Sequence, residues 1–438
     1  MLSIQTQIEK GFAFLTILFL AGFMGVLMIG VFGVTPDSSS QGDPVEQALW
    51  SGFYLVAFVL LVLRYKLVLY AVTRNKVMWL LIALLVVLTL ISVLWSHAPG
   101  ATVRNSVALA GTTLIGAYLA TRYTRREQLE MLAWALSIMA VLSLLYIVLV
   151  PGGIAADPEG GVGISGVFGH KQALGKSMAL AAMVFVILAA SSRRRRWLAW
   201  AGCGVALVFV LLSESMGALL LFITFVLLWP LYKALRWRYT AAVPFLIAVV
   251  LVGSAAAMVL WVNADTLLVA VGKDPTISGR TIVWRAVWDM IREQPWLGYG
   301  YGAFWRGPDG PSALVWLATG YEFANAHNAI LTVWTDLGLL GVSVFLFGLL
   351  WAILRAIACA RYTGTADGLW PLTYLTFYAI NGLVEATAPE GNNIMWVLFV
   401  MVALTPITRP VRGSKIIDDT GTVRKSPTRI SEKALRAR

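Results

Sequence analysis

Apolar runs of about 20 residues recur along almost the whole chain, and they constrain its fold more than any other feature. A helix of this length rises by about 30 Å, which is the thickness of the hydrocarbon core of a bilayer. Hydrophobic residues form 59% of the chain and charged residues only 13%, and the mean hydropathy is +0.78. The sequence therefore predicts an all-α polytopic membrane protein.

The runs predict about twelve transmembrane helices, and they divide the chain into four regions. We expect an N-terminal bundle of about nine spans over 1–263, a large loop containing helices over 264–326, about three spans over 327–407 and a basic tail over 408–438. The predicted spans are 11–33, 47–63, 77–95, 102–121, 129–150, 172–191, 197–213, 216–231, 239–263, 327–352, 369–386 and 392–407. The first run lacks a small-residue cleavage site, and we interpret it as an anchor.

Basic residues are distributed unequally between the two sides of this predicted bundle. Of the 34 Lys and Arg residues, 26 fall in alternate loops and at the two ends of the chain. Because positively charged loops stay in the cytoplasm, both termini are predicted to be cytoplasmic and the large loop to lie on the outer face. The net charge of +12 is thus a topology signal, and it gives no indication of nucleic-acid binding.

The large loop is unusual because it carries arginines on the side that basic residues generally avoid. Its segment "SGRTIVWRAVWDMIREQP" predicts an amphipathic helix from Ser278 to about Gln294. Arg280 lies in the first turn, where free backbone N–H groups favour an anion. Arg285 and Arg292 share another face, with Asp289 between them. The alternative for all three arginines is pairing with Asp289, Glu293 and lipid phosphates. The apolar stripe consists of Val283, Val287, Met290 and Ile291.

The next segment, "PWLGYGYGAFW", alternates glycines with aromatic residues. A nucleotide site is disfavoured because the run follows a helix and lacks the Rossmann spacing. We predict a backbone turn with aromatic anchors at the membrane interface, and stacking of the aromatics on sugar rings is the alternative.

The segment "NAHNAILTVW" places His327 at the start of a predicted span, between Asn325 and Asn328. A neutral imidazole accepts a proton from a hydroxyl near pH 7, so we predict a functional group here; the alternative is a polar helix start. Asp336 lies nine residues further into the same span. An intramembrane carboxylate is either functional or bonded to a neighbouring helix.

Basic residues also occur at two other predicted helix ends on the outer face. "GVFGHKQALGKSMAL" carries His170, Lys171 and Lys176, and Arg104 lies just inside the fourth span. Convergence of these groups with the arginines of the large loop would suit a diphosphate, which at a membrane surface would be lipid-linked.

Two adjacent blocks, "SGRTIVWRAVWDMIREQPWLGYGYGAF" and "HNAILTVWTDLGLLG", resemble the shared core of the O-antigen ligase and Wzy-type polysaccharide polymerase superfamily. The match covers roughly residues 277–342. The blocks "WSHAPGATVRNSVALAGTTLIGAYLATRY" and "GVFGHKQALGKSMAL" look more like the ExoQ-like exopolysaccharide polymerase branch than the ligase branch.

The resemblance implies a GT-C-like glycosyltransferase of the bacterial inner membrane, with its active site on the periplasmic face. Such an enzyme transfers a glycan from undecaprenyl diphosphate to a sugar hydroxyl, inverts the anomeric centre and needs no cofactor or metal. Carried over to this sequence, His327 is the catalytic base, and Arg280 is a catalytic residue that holds the donor diphosphate. Further donor-binding candidates are Arg285, Arg104, His170 and Lys171, and additional site candidates are Asn328, Lys176, Glu214 and Asp336.

The sequence departs from the family pattern at "SESMG", where Met216 stands in place of a frequent basic residue. The lost contact would then be supplied by Lys171 or Lys176. Three histidines without a paired carboxylate spacing also argue against a bound metal, and Cys203 and Cys359 are too far apart in the predicted topology to form a disulfide or cysteine metal site.

The acceptor distinguishes two enzyme activities that share this chemistry. A polymerase extends exopolysaccharide or O-antigen repeat units, whereas an O-antigen ligase moves finished glycan to lipid A core or to a protein. The resemblance also implies association with other polysaccharide assembly proteins. A polysaccharide flippase or transporter is the alternative from another class, and it is disfavoured because the polar groups cluster at the outer mouth instead of the midplane.

Overall fold

The computed structural model describes residues 4–32, 43–150, 163–191, 196–238, 240–241, 244–245, 280–407, 411–417 and 423–428. Within these ranges seven helices are long and apolar enough to cross a membrane, and Arg196–Leu212 and Ile394–Leu404 are shorter apolar helices. The prediction of an all-α polytopic membrane protein is therefore confirmed. The number of twelve spans stays a prediction, because the ninth span, 239–263, lies almost entirely outside the described residues.

The N-terminal bundle follows the predicted spans closely. Its helices are α1 (Ile4–Leu18), α2 (Met24–Phe32), α3 (Pro44–Leu63), α4 (Tyr65–Arg74), α5 (Lys76–Ile91), α6 (Pro99–Arg122), α7 (Arg125–Leu149), α8 (Lys171–Ser191), α9 (Arg196–Leu212) and α10 (Met216–Ala234). A π-helical turn, Phe19–Phe23, joins α1 to α2, and the first span begins earlier than predicted. Helix α4 was not predicted, because its basic residues were assigned to a loop.

The C-terminal part begins with two helices in the described portion of the predicted large loop. The helices are α11 (Arg280–Glu293), α12 (Ser312–Thr319), α13 (Ala329–Tyr362), α14 (Trp370–Val384) and α15 (Ile394–Leu404). In the basic tail the strands β1 (Val411–Ile417) and β2 (Val423–Thr428) form an antiparallel pair, which the sequence analysis did not predict.

The two ends of the bundle are distinguished by the helix termini that meet there. At the end that we call the tail end, α13 and α15 finish beside the turn between α6 and α7. Three side-chain contacts tie this end together: Arg125 Nη2 to Pro406 O and Asn75 Nδ2 to Ala403 O, both at 2.9 Å, and Arg236 Nε to Ala360 O at 2.9 Å. The opposite end, which we call the site end, holds the start of α6 and the described loop helices.

The glycine-rich run at 295–302 fills a break in α13. The break lies at Gly338, whose φ of 64° and ψ of −166° are not helical. The run replaces two hydrogen bonds of the helix ladder with four others: Leu339 N to Pro295 O at 2.8 Å, Leu340 N to Trp296 O at 3.3 Å, Tyr299 N to Thr335 O at 2.8 Å and Gly300 N to Asp336 O at 3.0 Å. The predicted backbone turn is confirmed, and it joins the loop firmly to α13. The predicted interfacial anchoring is wrong for Tyr299, Tyr301 and Phe304, which are buried within the protein.

We expect the substitution Gly338→Ala to lower the free energy of unfolding by more than about 3 kcal/mol. A Cβ at this position would lie 2.2 Å from the backbone carbonyl atoms of Trp296, and the positive φ would add strain. Gly348→Ala is the matched control in the same helix, because its Cβ would meet only Met78 Cε at 3.8 Å. The midpoint of thermal unfolding should fall for Gly338→Ala alone; equal midpoints would contradict the role of the break.

Helix α13 differs from the predicted span 327–352 in both length and shape. Its 34 residues would extend over about 51 Å if straight, whereas the 15 residues of α14, which begins at the tail end, rise by only about 22 Å. Even so, Asn328 Nδ2 donates to Leu383 O at 3.3 Å, near the end of α14. The segment before Gly338 therefore folds back towards α14 instead of continuing along one axis.

Helices α14 and α15 are shorter than the predicted spans 369–386 and 392–407. With 11 residues, α15 rises by about 17 Å, which is roughly half of the hydrocarbon thickness. The intervening segment, residues 385–393, is called the α14–α15 loop. Its Asn392 N–H donates to Thr112 Oγ1 at 2.8 Å, in the middle of α6. The loop thus descends from the end of α14 to the middle of the bundle.

Candidate active site

The carboxylate of Glu385 is the centre of a polar cluster at the site end. Arg280 Nη2 lies 3.2 Å from Glu385 Oε1, and His327 Nδ1 lies 3.4 Å from Oε2. Lys176 Nζ approaches Oε2 at 3.8 Å. These side chains come from α11, from the start of α13, from α8 and from the α14–α15 loop. Four chain segments that are distant in sequence therefore converge on one carboxylate.

The backbone holds His327 in an unusual conformation. Its φ of 46° is in the left-handed region, which histidine adopts more readily than most residues but at an energetic cost. The Asn325 side chain accepts a hydrogen bond from His327 N–H at 2.8 Å. On the other side, Asn328 Oδ1 accepts from the N–H groups of Ile330 and Leu331 and so caps α13. The two asparagines thus fix the imidazole beside Glu385.

Helix α11 presents Arg280 to the cluster from its first turn. The predicted stripe of Val283, Val287, Met290 and Ile291 is buried, and it packs in one apolar cluster with Val315 of α12 and Ala326. Trp284 Nε1 donates to Ala326 O at 2.8 Å, directly before His327. The packing therefore fixes the position of Arg280 relative to the imidazole.

Lys176 reaches the cluster from the second turn of α8. The preceding Gly175 packs against the turn between α9 and α10, since a Cβ there would lie 2.8 Å from Ser213 Oγ. Met216, the residue that departs from the family pattern, is exposed in that turn region. Of the two lysines considered as a replacement, Lys176 is the one that the structure places beside Glu385.

The charges in the cluster determine the state of the Glu385 carboxyl. Burial alone would raise its pKa, but the hydrogen bond with His327 and the charges of Lys176 and Arg280 outweigh burial, and they hold the pKa below its ordinary value. The carboxylate is thus ionised at neutral pH. Two cations face one anion, and the cluster retains positive charge for an anionic ligand.

The other predicted donor-binding residues do not contact Glu385 in the described ranges. Arg285 is exposed on α11, and Arg104 is half-buried in the second turn of α6. His170 is exposed immediately before α8, and Lys171 is half-buried, with its Cδ close to Gly163. Whether these four residues bind the donor stays a prediction.

The remaining candidates lie away from the carboxylate or serve the fold. Glu214 is exposed, with a φ of 51°, in the turn before α10. Arg292 pairs with Asp289 at 3.4 Å on the exposed face of α11, which supports the structural alternative for this arginine. Asp336 is buried at the break in α13, and its own backbone carbonyl accepts from Gly300 N–H at 3.0 Å. Its contacts favour a structural role.

Glu385 itself was missed in the sequence analysis. The only available signal was a carboxylate in the apolar region near the end of a predicted span, where ionisable groups are costly and often functional. Its partners lie 58 and 105 residues away in sequence, so no local pattern connects them. Within the described ranges, no three His, Cys, Asp or Glu residues are grouped in a way that could hold a metal ion. The absence of a metal or cofactor stays a prediction.

Comparison with known proteins supports the predicted resemblance. Residues 166–346 match the family model Wzy_C, described as O-Antigen ligase. A curated relative, the exopolysaccharide production protein ExoQ of Rhizobium meliloti (strain 1021), is 28% identical over 293 residues, which cover 62% of this chain. The match spans 63% of that relative, less than two thirds of its length.

One solved structure, described as "Structural coordination of polymerization and crosslinking by a peptidoglycan synthase complex", is 17% identical. The alignment covers 76% of this chain and 97% of the chain in that structure. Its TM-score of 0.39 carries no argument about fold or function. The family match includes Lys176, Arg280 and His327 but ends before Glu385. The predicted resemblance is confirmed: residues 166–346 are similar to the O-Antigen ligase family model, and the chain is similar to the ExoQ exopolysaccharide production protein.

Proposed function

We propose that this chain is a glycosyltransferase that moves a glycan from undecaprenyl diphosphate to a sugar hydroxyl, inverting the anomeric centre. One observation carries the proposal. A histidine, an arginine and a lysine converge on one ionised carboxylate at one end of a multi-pass membrane protein. The histidine is suited to deprotonating a hydroxyl, and the arginine and lysine are suited to neutralising a diphosphate. All three lie within the family match.

His327 acts as the general base in this proposal. With its proton on Nδ1, the imidazole donates to Glu385 Oε2 and leaves the lone pair of Nε2 available. Nε2 takes the proton of the acceptor hydroxyl while the oxygen attacks the anomeric carbon. Glu385 then stabilises the imidazolium that forms, and it is a positioning residue rather than a group that touches substrate.

Arg280 and Lys176 act on the leaving group. As the bond between the anomeric carbon and the phosphate oxygen breaks, negative charge grows on undecaprenyl diphosphate. The guanidinium of Arg280 offers paired N–H donors to the phosphate oxygens, and Lys176 adds a second charge. Because both cations already lie beside Glu385, the donor diphosphate needs only to replace the Glu385 carboxylate as their anionic partner. No metal or cofactor takes part in this proposal.

Polymerisation of exopolysaccharide or O-antigen repeat units is the activity that we favour. The relative from Rhizobium meliloti is described as an exopolysaccharide production protein, whereas the family model is described as O-Antigen ligase. The ligase activity, with lipid A core or a protein as acceptor, is therefore the second candidate. In both cases we place the site at the periplasmic face of the bacterial inner membrane, with cytoplasmic termini, because most basic residues lie at the opposite ends of the helices. Other polysaccharide assembly proteins are the expected partners.

Deletion of the gene from its own bacterium tests this proposal. If the chain is the polymerase, the mutant should accumulate undecaprenyl-diphosphate-linked single repeat units, and long polysaccharide should be absent on a gel. The wild-type gene should restore the long chains. Long polymer that accumulates on the lipid carrier without reaching lipid A core would instead identify the ligase. Unchanged lipid-linked intermediates and polysaccharide would contradict both activities.

A further inference from the structure

The α14–α15 loop places irregular, polar chain at the depth of the membrane interior. Gly391 lies against Ala108, and Trp396 Nε1 donates to Thr113 Oγ1 at 2.9 Å, so both contacts are with the middle of α6. Non-helical backbone at this depth is tolerated only where it is buried in protein or lines a water-filled cavity. The middle of the loop meets the first condition, because Thr387, Ala388 and Pro389 are buried.

Glu390 meets the second condition. It is exposed although the three residues before it are buried, and Asn393 Nδ2 donates to its Oε2 at 2.8 Å. A carboxylate facing lipid at this depth would be strongly disfavoured. Lys176 Nζ lies 3.8 Å from Glu385, and its charge also acts on Glu390, so Glu390 lies in the neighbourhood of the Glu385 cluster. A polar cleft continuing inward from the candidate active site would give this carboxylate a hydrated environment.

Two buried polar atoms near the loop support a hydrated cleft. Tyr378 and Asn381, on the last two turns of α14, are 1% exposed. The Asn381 amide donates to Thr387 of the loop, but Asn381 Oδ1 and the Tyr378 hydroxyl have no hydrogen-bond partner among the described residues. Buried polar atoms are almost always satisfied by protein, water or ligand. The region thus has hydrogen-bonding capacity that the described protein does not use.

We propose that Glu390 and Asn393 form a second subsite, which binds hydroxyl groups of a sugar ring next to the reacting centre. This inference rests on the proposed glycosyl transfer. A carboxylate accepts hydrogen bonds from two hydroxyls, and the Asn393 amide holds it in place. A diphosphate would be repelled by Glu390, and a cation would be repelled by Lys176. A neutral polyhydroxylated group is the ligand that suits both charges.

The sugar comes from the donor or from the acceptor, and binding measurements distinguish the two. Full-length protein in lipid nanodiscs is titrated with three probes: undecaprenyl diphosphate, the undecaprenyl-diphosphate-linked glycan extracted from the deletion strain, and the acceptor polysaccharide. Glu390→Ala should raise the Kd of one sugar-bearing probe about ten- to a hundredfold, the loss expected for a charge-assisted hydrogen bond. The Kd of undecaprenyl diphosphate should stay unchanged, and Glu390→Gln should recover part of the affinity.

The matched control is Glu130→Ala, which removes an exposed carboxylate near the tail end, where Glu130 pairs with Arg126 at 2.9 Å. Equal affinities of Glu390→Ala and wild type for all three probes would overturn the subsite alone. An equal loss for undecaprenyl diphosphate would also overturn it, because Glu390 would then act on the diphosphate. Wild-type protein that binds none of the probes would refute the proposed function, and the subsite with it.

A labelling experiment tests the cleft without any substrate. In a Cys203→Ser, Cys359→Ser background, Glu390→Cys should react with a membrane-impermeant charged thiol reagent that is added from the periplasmic side. Val141→Cys is the control, since Val141 is an exposed apolar residue on the membrane part of α7. The control should not react, because it faces lipid. An unreactive Glu390→Cys in correctly inserted protein would overturn the polar cleft.

Discussion

Replacing His327 by alanine is expected to lower the rate of glycan transfer about a hundred- to ten-thousandfold, the usual contribution of a general base. The imidazole lies in the cluster with its Nδ1 beside an ionised carboxylate. Without it, the acceptor hydroxyl has no group to take its proton. Transfer is measured as the formation of long glycan from extracted lipid-linked donor in membranes that contain equal amounts of each variant.

His97→Ala is the matched control for this loss. His97 also lies at the site end, where its Nε2 is 3.1 Å from Gln294 Nε2, and no contact with Glu385 is found in the described ranges. Its removal should leave transfer within about threefold of wild type, as expected for a surface substitution. Glu385→Gln should give an intermediate loss, because the neutral amide still orients the ring but no longer stabilises the imidazolium. Near-normal transfer by His327→Ala would remove the imidazole from the mechanism.

The sequence was informative wherever structure depends on local pattern. The apolar runs located the membrane helices, since hydrocarbon thickness sets their length. The stripe beginning at Val283 correctly placed α11, because burial of one helix face follows the helical period. The predicted convergence of Arg280 and His327 was also supported, since both residues contact Glu385. The helices follow from local pattern, whereas the convergence followed from placing both residues on the outer face.

Features that depend on tertiary contacts were missed. The break at Gly338 is stabilised by backbone hydrogen bonds from a segment about 40 residues earlier, and an apolar run with three glycines does not indicate which of them marks a break. The short α15 looked like a full span because its apolar run does not show that the preceding loop packs against the middle of α6. The contact between Glu385 and His327 was missed for both reasons, because the folded-back start of α13 and the shortened α14 bring the two residues together.

Replacing Arg280 by alanine is expected to lower transfer about a hundred- to thousandfold, the effect of removing one preorganised donor to a developing negative charge. Arg280→Lys should recover only part of this, because an ammonium cannot bind phosphate oxygens in the paired geometry of a guanidinium. Arg292→Ala is the matched control on the same helix: its guanidinium is 69% exposed and pairs with Asp289. Its loss should change transfer by less than about threefold.

The binding of undecaprenyl diphosphate, measured with the same proteins, should weaken for Arg280→Ala and stay constant for Arg292→Ala. Equal losses in the two alanine variants would indicate that the general charge of α11 attracts the donor, and they would contradict a specific contact between Arg280 and the diphosphate.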